Sequence, residues 1–217
     1  MTLPDAVSQP VILDLGISNV SSLENALWWI GRMPQVIYEA DEVHPSATLI
    51  VPGVGSFDRG MERMRDTGFG ELLRVHSAQG GPILGICLGM QLLSKSSTEG
   101  TSSGVGLLDC KFESFEANKR KQAVSAGRTR DMNMGLRPVF GAGQAPSKLI
   151  SALSKSFYFV HRFRTKAPPE LEWGTSIFGE KFSAIVGAGK TVGVQFHPEK
   201  SGRRGLDLLD ALLTVGS

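Results

Sequence analysis

The stretch PILGICLGMQLL, residues 82–93, places a cysteine between two glycines, after a short apolar run and before an apolar segment suited to a helix. The pattern G-I-C-L-G, residues 85–89, predicts a tight turn from a buried strand into a helix, because small flanking residues let the backbone bend sharply. Amides at a helix N-terminus stabilise a thiolate, and the Leu88 N–H can donate to an oxyanion. The alternative is a buried small residue at a strand end, and this motif alone leaves both open for Cys87.

Strand and helix candidates alternate around this turn. Apolar, β-branched runs predict strands over 11–16, 35–40, 48–57 and 82–86. Helical spacing predicts helices over 21–30, with Ser21 and Glu24 as a capping box, over 58–75, over the segment after Cys87, and over 205–215. Extended candidates follow at 157–164, 182–189 and 191–196, whereas residues 110–150 are charged, carry Gly and Pro, and have poor periodicity. The alternation indicates an α/β protein with a mostly parallel sheet flanked by helices.

Composition excludes several classes of protein. The 217 residues suit one large domain or two small ones, with 41% hydrophobic and 20% charged residues. A formal net charge of +2 gives no electrostatic case for nucleic acid as the main partner. The first residues lack the pattern of a signal peptide, and no run approaches the ~20 apolar residues of a membrane span. We expect a cytoplasmic protein with no membrane association.

The two cysteines, Cys87 and Cys110, do not make a disulfide framework. The four histidines and two cysteines do not cluster at metal-ligand spacing, so no metal site is expected. No motif for an organic cofactor is present. For Cys110 the expected role is that of a small core residue.

A cysteine nucleophile needs a base, and the base needs a group that orients it. The candidates are His44, His76, His161 and His197. In GVQFHPEKS, residues 193–201, Glu199 follows His197 by two residues, which lie on the same face of an extended chain. Such a pair alone is more often structural. A strand-end pair beside a strand-end cysteine points to chemistry, because ligands bind at the carboxyl ends of parallel strands.

A third segment, VPGVGSF at 51–57, places two glycines at the end of an apolar strand. Amides near Gly53 could approach a ligand closely and complete an oxyanion hole. An ordinary glycine-rich turn is the alternative for this segment taken by itself.

In this order and spacing, PGVGSF, GICLGMQLL and GVQFHPEKS resemble the motifs of the class I glutamine amidotransferases, and the likeness runs from about residue 14 to the C-terminal helix. The resemblance implies a single glutaminase domain over 1–217. It also implies a flavodoxin-like fold: a mostly parallel sheet flanked by helices, with an added short antiparallel section. The activity implied is hydrolysis of L-glutamine to glutamate and ammonia, without metal or cofactor.

The resemblance also implies roles for individual residues. Cys87 would attack the glutamine carboxamide, His197 would activate it and then protonate the departing ammonia, and Glu199 would orient His197. The Gly53 region and the Leu88 amide would form the oxyanion hole. Gln91 and Glu99 match positions that hold the glutamine substrate in the family.

Within this family the sequence is most similar to the glutaminase subunits of imidazole glycerol phosphate synthase. The similarity rests on DLGISNVSSLENAL, PGVGSFDRGM, a TEG after the nucleophile helix, an MG at 134–135 and FYFVH before the triad histidine. It implies a heterodimer with a (β/α)8-barrel synthase subunit. The barrel would use the channelled ammonia to make imidazole glycerol phosphate and aminoimidazole carboxamide ribotide in histidine biosynthesis.

Two departures keep alternatives open. Leu136 and Arg137 stand where the family commonly has Trp-Asn, and Arg162 and Phe163 stand where it commonly has Ser-Tyr. Intact catalytic positions with altered partner-facing ones also suit a paralogous amidotransferase whose barrel partner amidates a surface-polysaccharide sugar. A γ-glutamyl hydrolase and a catalytically silent scaffold are the remaining alternatives.

Overall fold

The computed structural model describes residues 9–41, 43–115, 132–143 and 145–215. The strands are β1 Val11–Leu13, β2 Gln35–Ile37, β3 Leu49–Val51, β4 Ile83–Ile86, β5 Ser94–Ser97, β6 Leu108–Ser114, β7 Asn133–Gly141, β8 Lys155–His161, β9 Phe163–Arg164, β10 Glu172–Phe178, β11 Glu180–Ala188 and β12 Thr191–Val194. The helices are α1 Val20–Trp29, α2 Phe57–Asp66, α3 Phe69–Ala78, α4 Leu88–Leu93, α5 Ser147–Ala152 and α6 Gly202–Leu213, and a 3-10 turn covers Pro198–Lys200.

The main sheet has the strand order β2-β1-β3-β4-β12-β11-β10-β7-β8 within the described residues. Its first five strands pair in parallel, and each pairing from β12 through β8 is antiparallel. A smaller sheet has the order β5-β6-β9. The predicted fold class is confirmed, and the antiparallel section, four strands long, is larger than the short one expected.

Helices cover both faces of the parallel part of the sheet. Alternate strand residues enter two separate cores, with Ile12, Ile50 and Leu84 in one and Leu13, Val51 and Ile83 in the other. The first core includes buried residues of α1 and α6, and the second includes those of α2, α3 and α4. Burial on both faces explains why these strands are continuous apolar runs.

The helix predicted over 58–75 is wrong in its length, because two helices occupy this segment. The chain breaks at Gly68, which has a φ of 74°, a left-handed conformation that suits glycine. The predicted capping box of α1 is also wrong. Asn19 is the N-cap, and its side-chain oxygen accepts from the Ser22 amide at 3.3 Å.

The middle of the chain holds more strand than its composition predicts. β6 and β7 lie in the segment for which no strand was expected, and β10 was missed entirely. The helix after Cys87 ends at Leu93, where β5 begins. Residues 116–131 of the charged 110–150 segment lie outside the described residues.

The turn from β4 into α4 depends on two glycines that let the helix contact the strands directly. A Cβ on Gly89 would stand 1.8 Å from the Val51 carbonyl oxygen, and one on Gly85 would stand 2.8 Å from the Met90 nitrogen. Between them Cys87 has a φ of 54°, one of two positive values among the described non-glycine residues. Such a backbone is strained for a residue with a side chain, and it holds the sulfur at the carboxyl end of β4.

The antiparallel strands curl back over this turn. Register shifts between Glu172 and Thr175 bend β10, as β-bulges do. The curl brings β8, the last strand of the sheet, against the segment that follows β12: the His197 amide donates to the Tyr158 carbonyl at 2.8 Å. The Val160 carbonyl of β8 consequently lies 4.0 Å from the Cys87 sulfur.

Replacing Gly89 with alanine tests this packing. Alanine normally favours a helix over glycine by about 1 kcal/mol. We expect Gly89→Ala instead to lower the free energy of unfolding by about 3 kcal/mol or more, because its methyl group meets backbone that cannot move aside. The control is Gly70→Ala in α3, where the nearest atom is 3.8 Å away and alanine fits. Urea denaturation of both variants measures the effect, and wild-type stability of Gly89→Ala would contradict it.

Candidate active site

A cavity of about 420 Å³ opens beside the turn between β4 and α4. Its lining residues are Val54, Gly55, Cys87, Leu88, Gln91, Glu99, Met132, Val160, His161, Arg162 and Phe163. The cavity lies at the carboxyl end of β4, where the sequence predicts a ligand crevice. It brings the predicted nucleophile and both predicted substrate-binding residues to one site.

The Cys87 sulfur has a neighbour that the sequence analysis missed. The Gln195 side-chain nitrogen lies 3.8 Å from the sulfur and donates toward it, and Gln195 is fully buried. Gln195 therefore helps to position the sulfur of the predicted nucleophile. The sequence could have indicated this role, because Gln195 is a polar residue inside the apolar run TVGVQF, at the point where a buried strand ends.

His197 and Glu199 form a buried pair. The distance between His197 Nδ1 and Glu199 Oε1 is 2.7 Å, and the two side chains are 3% and 8% exposed. The pair forms across the 3-10 turn Pro198–Lys200 rather than along an extended strand, so the predicted partners are right and the predicted backbone is wrong. Ser201, which the sequence analysis did not single out, fixes the turn by donating to the His197 carbonyl at 2.6 Å.

The electrostatics of His197 link it to Cys87. Burial alone would lower the pKa of His197, but the Cys87 sulfur and the Glu199 carboxylate together outweigh burial and raise that pKa above its ordinary value. His197 Nε2 is buried and has no conventional hydrogen-bond partner within the described ranges. The imidazole is therefore fixed by Glu199 on one side, and its other nitrogen is available for a reacting group.

The two groups predicted to form the oxyanion hole, at Gly53 and Leu88, are hydrogen-bonded to each other. The Leu88 amide donates to the Gly53 carbonyl at 3.4 Å, and the next amide, that of Val54, donates to the Ile17 carbonyl at 3.3 Å. The Gly53–Val54 peptide thus turns its oxygen toward Leu88 and its N–H away from it. Rotating this one peptide would free the Leu88 amide and exchange the carbonyl oxygen for a second N–H.

The two predicted substrate-binding residues face the cavity as acceptors. Gln91 is 4% exposed, and its Oε1 has no hydrogen-bond partner among the described residues. Glu99 Oε2 accepts from the Phe57 amide at 2.9 Å, while burial raises the pKa of Glu99 above its ordinary value. The Gln91 oxygen and the Glu99 carboxylate can both accept from a hydrogen-bond donor on a bound ligand.

The remaining histidines are not bases for Cys87. His44 is exposed, and His76 Nε2 bonds the Ala47 carbonyl at 2.9 Å at a distance from the cavity. His161 lines the cavity but is engaged on both sides: Nδ1 contacts the Phe163 carbonyl at 2.7 Å, and Nε2 contacts Asn133 Nδ2 at 2.9 Å. A carbonyl partner requires the proton on Nδ1, so Nε2 accepts from the Asn133 amide.

This arrangement keeps His161 neutral. Burial, reinforced by the charge of His197, lowers the pKa of His161 to about 4 against the bond to Phe163. Arg137 extends this hydrogen-bond network, since its Nε donates to Asn133 Oδ1 at 3.1 Å. Asn133 lies in a strand that the sequence analysis did not predict, so no signal pointed to this network.

The described residues contain no group of three or more His, Cys, Asp or Glu placed to hold a metal ion. Among the described helices, none has the length and apolar character needed to span a membrane. Cys110 is buried in the second core, and burial raises the pKa of its thiol to about 11, which matches the expected core role.

The family model for class-I glutamine amidotransferases matches residues 11–212. The chain therefore belongs to the class-I glutamine amidotransferase family, a family of enzymes, as the motifs predicted. Solved structures agree on the fold. A glutamine amidotransferase crystal structure gives a TM-score of 0.67 at 20% identity, covering 95% of this chain and 98% of that one. The structure of PurLQS from Thermotoga maritima gives 0.69 at 16% identity, covering 95% and 97%.

The more similar relatives share one name. The imidazole glycerol phosphate synthase subunit HisH of Prochlorococcus marinus is 34% identical over 203 residues, covering 93% of this chain and 92% of its own length. The HisH subunit of Symbiobacterium thermophilum is 35% identical, covering 92% and 90%. A protein of Pseudomonas aeruginosa named HisH 2 is 30% identical, covering 91% and 95%. These names describe subunits of a synthase.

The buried neutral His161 should make stability depend on pH. Its pKa is about 4 in the folded chain and 6.5 when free, so between these values only the unfolded chain binds the proton. Stability contributed by His161 is therefore lost as the pH falls from about 6.5 to about 4, by up to about 3 kcal/mol. We expect His161→Gln to flatten this part of the curve relative to wild type, measured by urea denaturation across the range. His44→Gln, at an exposed histidine, is the control; equal pH dependence of wild type and His161→Gln would refute the assignment.

Proposed function

We propose that the chain is the glutaminase subunit of an imidazole glycerol phosphate synthase, hydrolysing L-glutamine and passing ammonia to a (β/α)8-barrel partner. The observation that carries the chemistry is the contact between Cys87, on its strained turn at the cavity, and His197 of the buried His197–Glu199 pair, whose pKa the Cys87 sulfur helps to raise. The similarity to HisH subunits over more than nine-tenths of the chain supports the pathway. A single glutaminase domain acting in the cytoplasm is part of this proposal.

The residues provide each step of the hydrolysis. The Cys87 thiolate attacks the carboxamide carbon, and His197, charged and held by Glu199, protonates the nitrogen as the C–N bond breaks. Ammonia leaves and a glutamyl thioester remains. His197, now neutral, takes a proton from water, the hydroxyl adds to the thioester, and the C–S bond breaks to release glutamate. This scheme uses no metal or cofactor.

The Gly53–Val54 peptide explains how a partner could control the reaction. With its carbonyl on the Leu88 amide and its N–H on the Ile17 carbonyl, it keeps both the Leu88 and the Val54 amides from donating to the tetrahedral oxyanion. A lost oxyanion donor costs about a hundredfold to a thousandfold in kcat. The adjacent Gly55 has a φ of 110° and open space around it, so reorienting this segment meets little steric resistance. The isolated chain is then a weak glutaminase that its partner activates.

An exposed apolar face beside the cavity suits the barrel partner. Met134, Leu136 and Phe140 alternate along β7 and are about half exposed, and Ile177 of β10 is also exposed. Met134 pairs with Val160 of β8, which lines the cavity, so this face adjoins the site. An apolar surface next to a site that releases ammonia favours docking of the acceptor subunit there.

The sugar-amidating paralogue is a second candidate. It is favoured by two substitutions in β7: Leu136, on this face, replaces the tryptophan that is common in the family, and Arg137, on the opposite face beside Asn133, replaces the asparagine. Two relatives, from Nitrobacter winogradskyi and Pseudomonas aeruginosa, bear the name HisH 2. A second subunit of this type is compatible with a different barrel partner.

Cys87→Ala tests the nucleophile. We expect the variant to lose glutamine hydrolysis completely, because the thioester cannot form, while a complex containing it still makes product when ammonia is supplied. Glutamate release and ammonia-fed synthesis are measured on the same preparation. Glutamate release by Cys87→Ala would disprove the assigned nucleophile, and the intact ammonia-fed reaction excludes a folding defect.

Partner control is tested by glutamate release from the chain alone and from the chain co-purified with its barrel. We expect low activity alone and stimulation by the synthase ligand, of about a hundredfold or more if one oxyanion donor is gained. Stimulation by the histidine-pathway nucleotide supports the proposed pathway. Stimulation only with a different barrel subunit would support the glutaminase activity but indicate sugar amidation in place of histidine biosynthesis. High activity without a partner would contradict the control by the Gly53–Val54 peptide.

A further inference from the structure

We propose that Arg162 binds the α-carboxylate of L-glutamine and so determines the specificity of the site for an α-amino acid. The inference rests on the proposed function. It assigns a role to a residue that departs from the family motif. The family commonly has serine at this position, which offers a hydroxyl but no charge.

The cavity contains two acceptors that a cationic ligand would satisfy. Among the described residues, Gln91 Oε1 is buried without a hydrogen-bond partner, and the Glu99 carboxylate accepts from the Phe57 amide. Both line the same cavity as the Cys87 sulfur. An ammonium group donates to two or three acceptors at once, so the α-ammonium of an amino acid fits this end of the cavity.

Arg162 lines the same cavity and brings the opposite charge. Its guanidinium is close enough to Glu99 for its charge to oppose the rise in the Glu99 pKa. None of the ion pairs within the described part of the chain involves Arg162. One cavity therefore presents acceptors for a cation and, beside them, a cationic fork that can bind a carboxylate in bidentate fashion.

The backbone of Arg162 is fixed from both sides. Its carbonyl accepts from the Phe115 amide at 3.2 Å, and the preceding His161 is buried with both ring nitrogens engaged. The Phe163 carbonyl that follows accepts from His161 Nδ1. The side chain itself is exposed at the cavity mouth, so it can reach an entering substrate without first breaking a buried contact.

A pair of substrates isolates the carboxylate. L-Glutamine and L-glutaminamide share the reacting carboxamide and the α-ammonium, and they differ only in that the second has a neutral amide in place of the α-carboxylate. Both are given to the full chain in complex with its co-purified partner, and kcat and KM are measured. Arg162→Ser restores the common family residue, Arg162→Lys keeps the charge without the fork, and Arg203→Ser removes an exposed arginine of α6 as the control.

We expect Arg162→Ser to lower kcat/KM for L-glutamine about tenfold, through KM, because one charge-assisted contact at an exposed site is lost. Its kcat/KM for L-glutaminamide should stay within about twofold of wild type. Arg162→Lys should be intermediate, and Arg203→Ser should match wild type. Equal losses on both substrates would mean that Arg162 acts through Glu99 or the fold, and no loss on either would mean that it faces solvent; each result overturns the proposal.

Covalent labelling separates failure of this inference from failure of the proposed function. The diazoketone analogue of L-glutamine carries both α-groups and alkylates an active cysteine, whereas iodoacetamide carries neither. We expect Arg162→Ser to slow labelling of Cys87 by the analogue about tenfold and leave iodoacetamide labelling unchanged. Equal labelling of variant and wild type by the analogue overturns the role of Arg162 alone. A wild-type complex that is neither labelled by the analogue nor active on L-glutamine overturns the glutaminase proposal and this inference with it.

Discussion

The contact between α4 and strands β3 and β4 is the constraint on which the site depends. Because Gly85 and Gly89 have no side chains, the helix begins directly on the strands, with Val51 too close to admit a single Cβ at Gly89. The residue between strand and helix must then turn abruptly, and Cys87 adopts a positive φ to do so. The strain is maintained by the surrounding core, and it directs the sulfur into the cavity instead of into the sheet.

The parts of the site that the sequence predicted are those determined by a few adjacent residues. A cysteine between two glycines needs only the strand before it and the helix after it. His197 and Glu199 are two residues apart, so they meet in an extended chain or in the 3-10 turn that is observed. The prediction of the pair therefore survived an error in the backbone conformation. The apolar parallel strands could equally be predicted from the sequence, since burial on both faces leaves a continuous hydrophobic run.

What the sequence did not predict depends on pairing between distant strands. β7 contains Gly135 and Pro138, residues that disfavour a strand by propensity, and it forms through its ladder with β8. The bond from Asn133 to His161 exists only in that register. The break at Gly68 was missed for a different reason: apolar spacing continues from α2 into α3, and the left-handed glycine between them leaves no mark on that spacing.

The proposed substrate site and the proposed oxyanion segment meet at one side chain, that of Glu99. Its carboxylate lines the cavity and also accepts from the Phe57 amide, at the end of the loop that carries the Gly53–Val54 peptide. The neighbouring Asp58 binds the amides of Thr101 and Ser102, so the two segments are joined twice. Under the proposed function, the α-ammonium of the substrate donates to the same Glu99 carboxylate that accepts from the Phe57 amide of this loop. The Gly53–Val54 peptide, which would rotate, lies three residues before Phe57 in this loop. The proposed binding of the α-ammonium and the proposed presentation of the oxyanion donors would then be linked through the contacts of Glu99 with Phe57 and of Asp58 with Thr101 and Ser102.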